Sequence, residues 1–345
     1  MTGFSGLGSM PGTDMAVAAD VIGGESTDGE VIIPLLPARG LGADAVGRTG
    51  VVLQDVVLDR GPRSWRIADG PSRVTWQARD LLTRDLDVCE ELWNGAAETI
   101  RFSVVGPWSL GASVELPGGH RMLTDHGSVR FLAESLSAGL DRLLDDLDRR
   151  FSGARYTVQI DEHLLPDVHL GRVPDAVGTR FLRPVGHREL SDMWRRITEP
   201  LAARGVRVVV RPGGKVSELS MEAVRDSGAN ALAVRADAVV GSTALDTLGA
   251  LIADGIDLDL GVVPSVPDRG TDDHSGAWIT PDERTAAKRA ARLWDELSFP
   301  RVDMIERINL TPMSGFDRSP LKWPAPALRC GRLAADLVNR AAGDL

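Results

Sequence analysis

Several residue types and patterns are scarce in this 345-residue chain, and each scarcity excludes a class of protein. Only two cysteines are present, Cys89 and Cys330, without paired spacing and in stretches with helical patterns, so we expect no disulfide and a reducing environment. No segment approaches the roughly 18 consecutive apolar residues that a membrane helix needs. The first residues lack the basic region and apolar run of a secretory signal, which favours a cytoplasmic protein.

Basic residues are also fewer than acidic ones, with 39 Lys and Arg against 49 Asp and Glu. The formal net charge of −10 argues against nonspecific binding of nucleic acid or of anionic membranes, because both need clustered Lys and Arg. The hydrophobic content of 43% and charged content of 26% are ordinary for a globular protein with a large core. We therefore expect neither nucleic acid nor a membrane as a partner.

What the chain does contain is a regular alternation of short apolar strands and longer helical patterns. Such alternation predicts a parallel sheet, and eight strands favour a closed barrel over an open sheet. The eight predicted strands are Phe4 to Ser9, Val31 to Leu36, Thr99 to Val105, Tyr156 to Asp161, Val206 to Arg211, Ala231 to Arg235, Leu258 to Val263 and Ile308 to Pro312. The expected fold is α/β, a TIM-like (β/α)8 barrel in one domain over residues 1–345.

Two helix boundaries have clear sequence signals. Thr280-Pro281-Asp282-Glu283 has the pattern of a capping box with Pro at the first helical position, and predicts a helix to about Leu297. Gly205 is expected to end a helix over Glu189 to Arg204.

Three regions exceed a minimal barrel. The pattern of residues 62–93 predicts a hairpin-like piece followed by a long helix. Residues 163–187 are expected to form a long loop with several Pro and Gly residues, and residues 264–279 a polar loop. The last two follow strand ends directly, so we expect them over the barrel mouth, where they could contact a substrate.

Two adjacent carboxylates end the fourth predicted strand. Because side chains alternate along a strand, Asp161 and Glu162 must point to opposite faces, at the end where parallel α/β folds carry their chemistry. One interpretation pairs these acids with Arg211 or Arg235 on following strands. The other assigns Asp161 to a cationic substrate group or to proton transfer, and the two arginines to an anionic ligand.

Other strand-end residues complete the candidate mouth. Gly8 and Ser9 follow the first strand, Arg39 the second, Trp108 the third and Ser314 the last, and we expect them to contact a substrate. Glycine turns there either permit close approach of a ligand or simply form turns. The run Asp272-Asp273-His274 could supply metal ligands or be a solvated loop.

Four segments of the sequence occur in the order found in one enzyme family: GFSGLGSMPGT from Gly3, GPWSL from Gly106, QIDE from Gln159 and TPMSGF from Thr311. Together they resemble the C-terminal catalytic barrel of cobalamin-independent methionine synthase, particularly its short single-barrel actinobacterial relatives, over nearly the whole chain. The resemblance implies a TIM-like barrel that transfers a methyl group from a methyltetrahydrofolate to homocysteine in methionine biosynthesis. The family's zinc holds the homocysteine sulfur as a thiolate.

The resemblance also implies roles for particular residues. Leu7-Gly8-Ser9 would hold the carboxylate of homocysteine through backbone N–H groups, and Asp161 would receive its amino group. The family's proton-donating His is absent from its nominal place after the seventh strand, where Pro264-Ser265 stands. His274, further along this loop, is the candidate to replace it.

The sequence departs from the family at every zinc-ligand position. Arg211-Pro212-Gly213 stands where the family has His-x-Cys, Arg235 where it has an acidic ligand, and Ser314 where it has the final Cys. We therefore expect no metal. Our hypothesis is that Arg211 and Arg235 replace the positive charge of zinc, and pair with Asp161 or Glu162 when the site is empty.

Three classes of function follow. The first is a methionine-synthase-like methyltransferase that works without the usual zinc site. The second is a catalytically silent relative that binds an amino acid, a folate-like ligand or a partner subunit. The third is a zinc-free enzyme of different chemistry, since the same barrel hosts many activities.

Overall fold

The computed structural model describes residues 1–26, 29–214, 216–267 and 280–341. The strands within these ranges are β1 (Glu30–Ile32), β2 (Val57–Arg60), β3 (Trp65–Ala68), β4 (Thr99–Val105), β5 (Val114–Glu115), β6 (Arg155–Glu162), β7 (Arg207–Pro212), β8 (Ala231–Arg235), β9 (Asp257–Val263) and β10 (Ile308–Pro312). The α-helices are α1 (Met15–Gly24), α2 (Ala45–Val52), α3 (Arg73–Trp93), α4 (Pro107–Ser113), α5 (His126–Arg150), α6 (Leu165–His169), α7 (His187–Ala203), α8 (Glu218–Arg225), α9 (Ser242–Ala253), α10 (Glu283–Glu296), α11 (Arg301–Arg307) and α12 (Pro324–Ala341).

The main sheet is parallel and curled. In the described part of the chain it has seven strands, in the order β1-β4-β6-β7-β8-β9-β10, and every neighbouring pair is parallel. Its strands are almost entirely buried, as in β4 and β9. Helices pack on the outer face of the sheet, and side chains inside the barrel fill the space at the inner face. The prediction of a TIM-like α/β barrel is confirmed.

Residues 3–10 close this barrel. The Ser5 N–H donates to the Leu310 carbonyl at 3.0 Å on one side, and the Met10 N–H donates to the Leu35 carbonyl at 2.8 Å on the other. The prediction of a continuous strand over Phe4 to Ser9 is wrong, because the segment makes isolated parallel bridges at its two ends. Gly8 lies between them with φ of 90°, outside the β region, and interrupts the pairing.

The other predicted strands agree with the structure within a residue or two, except that β1 ends at Ile32. Pro34 follows shortly and has no N–H to donate to a neighbouring strand. The predicted hairpin and long helix are present as the antiparallel pair of β2 and β3 followed by α3, although the hairpin starts at Val57. Both cysteines are free and buried, Cys89 in α3 and Cys330 in α12.

The helix predicted after Thr280 begins later than expected. Its N-cap is Asp282, whose carboxylate accepts from the Thr285 N–H at 2.9 Å, so Thr280 and Pro281 lie outside α10. The helix before Gly205 is α7, and Gly205 has the positive φ of 72° expected of a C-terminal glycine. None of the helices in the described ranges combines the length and apolarity that a membrane span requires.

A buried ion pair crosses the interior of the barrel. Arg101 Nη1 on β4 lies 2.6 Å from Asp259 Oδ2 on β9, and the two side chains are 1% and 0% exposed. Arg207 Nη1 lies 3.6 Å from the other Asp259 oxygen. Burial raises the pKa of Asp259, but Arg101 and Arg207 outweigh it and leave this pKa below its usual range. The pair joins strands on opposite walls, since three strands separate β4 from β9 in the sheet.

Replacing Arg101 by Met should strongly destabilise the protein. The variant leaves the Asp259 carboxylate buried with Arg207, 3.6 Å away, as its remaining cationic partner in the described part of the chain, so we expect the free energy of unfolding to fall by about 3–5 kcal/mol. Arg130→Met is the control, because its pair with Glu134 is half exposed and should contribute little. Urea unfolding followed by circular dichroism measures both, and similar small losses in the two variants would contradict the role of the pair.

Candidate functional site

The carboxyl ends of β6 and β7 bring Asp161 and Arg211 together. The strand register places the two residues opposite each other, and Arg211 Nη1 lies 3.3 Å from Asp161 Oδ1. Their side chains are 20% and 29% exposed, so both are accessible from the mouth. Of the two interpretations that the sequence left open, the structure therefore contains the ion pair, in a position where a ligand could replace either partner.

A second donor reaches the same oxygen of Asp161 from within the barrel. Gln159 Nε2 donates to Asp161 Oδ1 at 2.8 Å, from two residues earlier on the same face of β6. Among the described residues no group donates to Asp161 Oδ2. The carboxylate thus has one oxygen held by protein donors and one available to a ligand.

Glu162 points the other way, as the alternation of a strand requires. Its side chain is fully buried, Oε1 accepts from the Trp108 N–H at 3.2 Å and from Trp194 Nε1 at 3.0 Å, and Oε2 accepts from the Ser109 N–H at 2.7 Å. The carboxylate lies at the start of α4, where it satisfies backbone N–H groups that have no partner inside the helix. The structure does not bring Glu162 to the mouth.

Trp108 is also absent from the mouth. Its side chain is 2% exposed, and Nε1 donates to the Leu190 carbonyl of α7 at 3.4 Å. Although Trp108 follows the end of β4, the first turn of α4 directs the indole into the core. A ligand at the strand ends cannot contact this ring.

The two other arginines predicted at the mouth have carboxylate partners of their own. Arg235 binds Asp237 through two hydrogen bonds of 2.8 and 2.5 Å. The expectation that Arg235 pairs with Asp161 or Glu162 is wrong, because Asp237 lies two residues away in the same turn and is closer. Arg39 binds Asp85 on α3 through two hydrogen bonds of 2.9 and 2.6 Å, so both of its terminal nitrogens already have a carboxylate partner.

A small cavity of about 50 Å³ lies at the ends of β7 to β10. It is lined by Leu7, Arg211, Arg235, Gly213, Pro312 and Met313, among others. Three of the residues predicted at the mouth, Leu7, Arg211 and Arg235, therefore share one cavity.

Ser9 and Ser314 lie on the two segments that end beside this cavity. A side chain added at Gly315 would meet the Ser9 Cβ at 2.6 Å, so glycine is needed where these segments touch. The Ser314 N–H donates to Ser265 Oγ, and this hydroxyl donates to the Ser314 carbonyl, both at 2.7 Å. Ser265 ties the ends of β9 and β10 together, a role that no sequence pattern indicated.

Arg48 is another residue that the sequence did not single out. It projects from α2 into the protein, where it donates to the Pro34 carbonyl at 2.6 Å and to the Ser103 carbonyl and hydroxyl at 3.2 Å. Burial lowers the pKa of Arg48 to about 10, so the side chain remains charged at neutral pH. A side chain added at Gly8 would meet the same Ser103 hydroxyl at 3.2 Å. The Arg48 guanidinium therefore lies beneath the loop that contains Gly8.

The residues at the expected zinc position do not fit a metal cation. Arg211 and Arg235 carry positive charge, and Ser314 hydrogen-bonds its hydroxyl to the Gly315 carbonyl at 3.4 Å. Within the described ranges, no three His, Cys, Asp or Glu side chains come together as metal ligands. His274 and the neighbouring Asp272 and Asp273 lie outside the described residues.

No family model and no curated protein sequence matches this chain. Among solved structures, the B12-independent methionine synthase from Shewanella sp. W3-18-1, in complex with selenomethionine, is 10% identical with a TM-score of 0.50. The match covers 80% of this chain and 71% of the synthase. Methylaspartate ammonia lyase from Clostridium tetanomorphum is 9% identical with a TM-score of 0.46, covering 99% and 60% of the two chains. At such an identity the likeness to the synthase concerns the fold alone, which is a TIM-like barrel.

The buried carboxyl of Glu162 should make stability depend on pH. Burial raises its pKa from 4.5 to about 6, although Trp194, Ser109 and Trp108 donate hydrogen bonds that oppose the rise. The folded chain then binds more protons than the unfolded chain between these values, so the free energy of unfolding falls as pH rises through them. The shift corresponds to about 2 kcal/mol.

Urea unfolding of the wild type and of Glu162→Gln at pH 4.5, 5.25, 6 and 7 measures this contribution. Titrations elsewhere in the protein are common to both chains, so the difference between the two curves isolates Glu162. We expect the wild type to lose more stability across this range than the variant does. Parallel curves would show that folding does not change the pKa of Glu162.

Proposed function

We propose that this protein is a methionine-synthase-like barrel that binds a small amino-acid-like ligand at its mouth and lacks the zinc-based activation of a thiol. The observation that carries the proposal is the Asp161–Arg211 pair, which is partly exposed at the strand ends with 20% and 29% of the side chains accessible. A ligand with an ammonium group and an acidic group would find one complementary partner for each.

The pair is well suited to exchange partners. At 3.3 Å it is a single, partly solvated contact, and such ion pairs are worth little because water screens them. The ammonium of a ligand would bind Asp161 through the oxygen Oδ2. Its acidic group would bind the Arg211 guanidinium, whose planar set of donors matches a carboxylate in two-point contacts.

The family resemblance supports this choice of ligand. Asp161 lies in one of the four family-like segments, at the position that receives the amino group. The resemblance assigns the carboxylate to Leu7-Gly8-Ser9, so its contact with Arg211 is our proposal for this chain. The methionine synthase of similar fold was solved with selenomethionine, an amino acid. Methionine and homocysteine are therefore the first probes to use.

A second candidate function, methyl transfer to a thiol, is favoured by the charge of Arg211. A free thiol with a pKa of about 8.5 is mostly protonated at neutral pH, and the family relies on zinc to hold the reactive thiolate. A guanidinium at the former ligand position would stabilise the thiolate electrostatically, though less than a bound metal does. The thiol proton would leave to solvent, and the S–CH3 bond would form as the N–CH3 bond of the methyltetrahydrofolate breaks. The released tetrahydrofolate nitrogen would take a proton from solvent.

Ligand binding at the Asp161–Arg211 pair is tested by thermal unfolding and calorimetric titration with methionine, homocysteine and a folate. We expect at least one amino acid to raise the unfolding temperature, because a ligand of the folded state stabilises it. Asp161→Asn and Arg211→Gln should each weaken this ligand by roughly tenfold or more, since each removes a charged partner. Asp295→Asn is the matched control, because its carboxylate pairs with Arg301 and neither residue lines the cavity. Equal affinity in Asp161→Asn and the wild type would refute the proposed site.

Methyl transfer and metal content separate the two candidate functions. Protein purified without chelators is analysed for zinc, then incubated with homocysteine and a methyltetrahydrofolate while methionine formation is followed. We expect substoichiometric zinc and no methionine above the rate without protein. Methionine formation that disappears in Arg211→Gln would establish the second candidate instead, and near-stoichiometric zinc would overturn the replacement of the metal by arginine.

A further inference from the structure

Gln159 occupies the barrel interior directly below the candidate site. Its side chain is fully buried on β6, between Arg101 on β4 and Asp161 at the mouth. Arg101 Nε donates to Gln159 Oε1 at 3.0 Å, and Gln159 Nε2 donates to Asp161 Oδ1 at 2.8 Å. One amide thus links the buried ion pair to the accessible carboxylate.

The orientation of this amide is determined by its neighbours. A guanidinium has only donors, so the Gln159 oxygen must face Arg101 and the amide nitrogen must face Asp161. Arg101 is held in turn by Asp259, 2.6 Å from its Nη1 on the opposite wall of the barrel. Turning the amide over would place its N–H groups against Arg101 and its oxygen against the carboxylate, and both contacts would be repulsive.

The amide restrains Asp161 in a way that the exposed Arg211 cannot. Arg211 is 29% exposed and 3.3 Å away, whereas Gln159 is buried and makes the shorter hydrogen bond to the same oxygen. A donor fixed to the rigid interior limits rotation of the carboxylate about its bonds. It also remains in place when a ligand draws Arg211 away.

We infer that Gln159 is a positioning residue for Asp161: held by Arg101, it fixes the Asp161 carboxylate so that Oδ2 is presented to the ammonium group of a ligand. The identity of the ligand rests on the function proposed above, but the restraint on Asp161 does not. A residue held ready before binding raises affinity because less conformational freedom is lost when the ligand arrives.

Two substitutions of nearly the same size separate positioning from simple filling of the core. Gln159→Met keeps the length of the side chain but can neither accept from Arg101 nor donate to Asp161. Gln159→Glu keeps an acceptor for Arg101 but places a second carboxylate against Asp161. Thr157→Val is the matched control, because Thr157 lies two residues earlier on the same face of β6 and is 4% exposed.

The first measurement requires no ligand. In nuclear magnetic resonance spectra, the side-chain amide signals of Gln159 are identified by their loss in Gln159→Met. We expect their protons to exchange with solvent far more slowly than those of the exposed Gln77, and to shift in Asp161→Asn but not in Thr157→Val. Rapid exchange, or no response to Asp161→Asn, would overturn the inference.

The second measurement compares methionine with the same compound lacking its amino group. Positioning predicts that Gln159→Met weakens methionine by about tenfold, the loss expected for one hydrogen bond to a charged group, and leaves the desamino compound unchanged. Gln159→Glu, whose added negative charge attracts the ammonium group, should bind methionine no more weakly than Gln159→Met does. Equal weakening of both compounds would indicate a structural role and overturn the inference. If the wild type binds neither compound, the proposed function fails, and the amide spectra alone decide whether Gln159 restrains Asp161.

Discussion

The pair of Arg101 and Asp259 is the constraint on which the inside of this barrel depends. TIM-barrel interiors are usually filled by layers of branched apolar side chains, whereas here two charges meet at 2.6 Å with almost no exposure. Neither charge can be left without the other, because an unpaired buried ion is far more costly than the pair. The direction of the Gln159 amide follows from this contact, and the hydrogen bond to Asp161 follows from that direction. The buried ion pair thereby determines how the Asp161 carboxylate is held at the candidate site.

Much of the barrel could be predicted because its strands are short, apolar and rich in β-branched residues. Thr99 to Val105, Ala231 to Arg235 and Ile308 to Pro312 have the observed bounds, and the alternation of side chains correctly separates Asp161 from Glu162. Alternation does not say which of two neighbours faces inward, since that depends on which side the helices cover. The same limit applies to residues 3–10, whose composition suggests a strand although the backbone at Gly8 permits only isolated bridges.

The site was less predictable because charge does not specify a partner. Arg211, Arg235 and Arg39 all follow strands, yet only Arg211 pairs with Asp161, while the other two bind Asp237 and Asp85. These choices depend on distances that appear only once the chain is folded. Arg48 and Ser265 had no distinguishing pattern at all, because one lies in an ordinary helix and the other in a loop.

The closure of the barrel by residues 3–10 bears on how the protein is made. This segment leaves the ribosome before its partner around Leu310, which is synthesised about 300 residues later at 5–20 residues per second. Until then the edge of the segment that will face β10 has no partner strand. The growing chain must keep that edge from other polypeptides for roughly 15 to 60 seconds, the time that these rates imply. The contact that closes the barrel is thus also the one that covers this open edge.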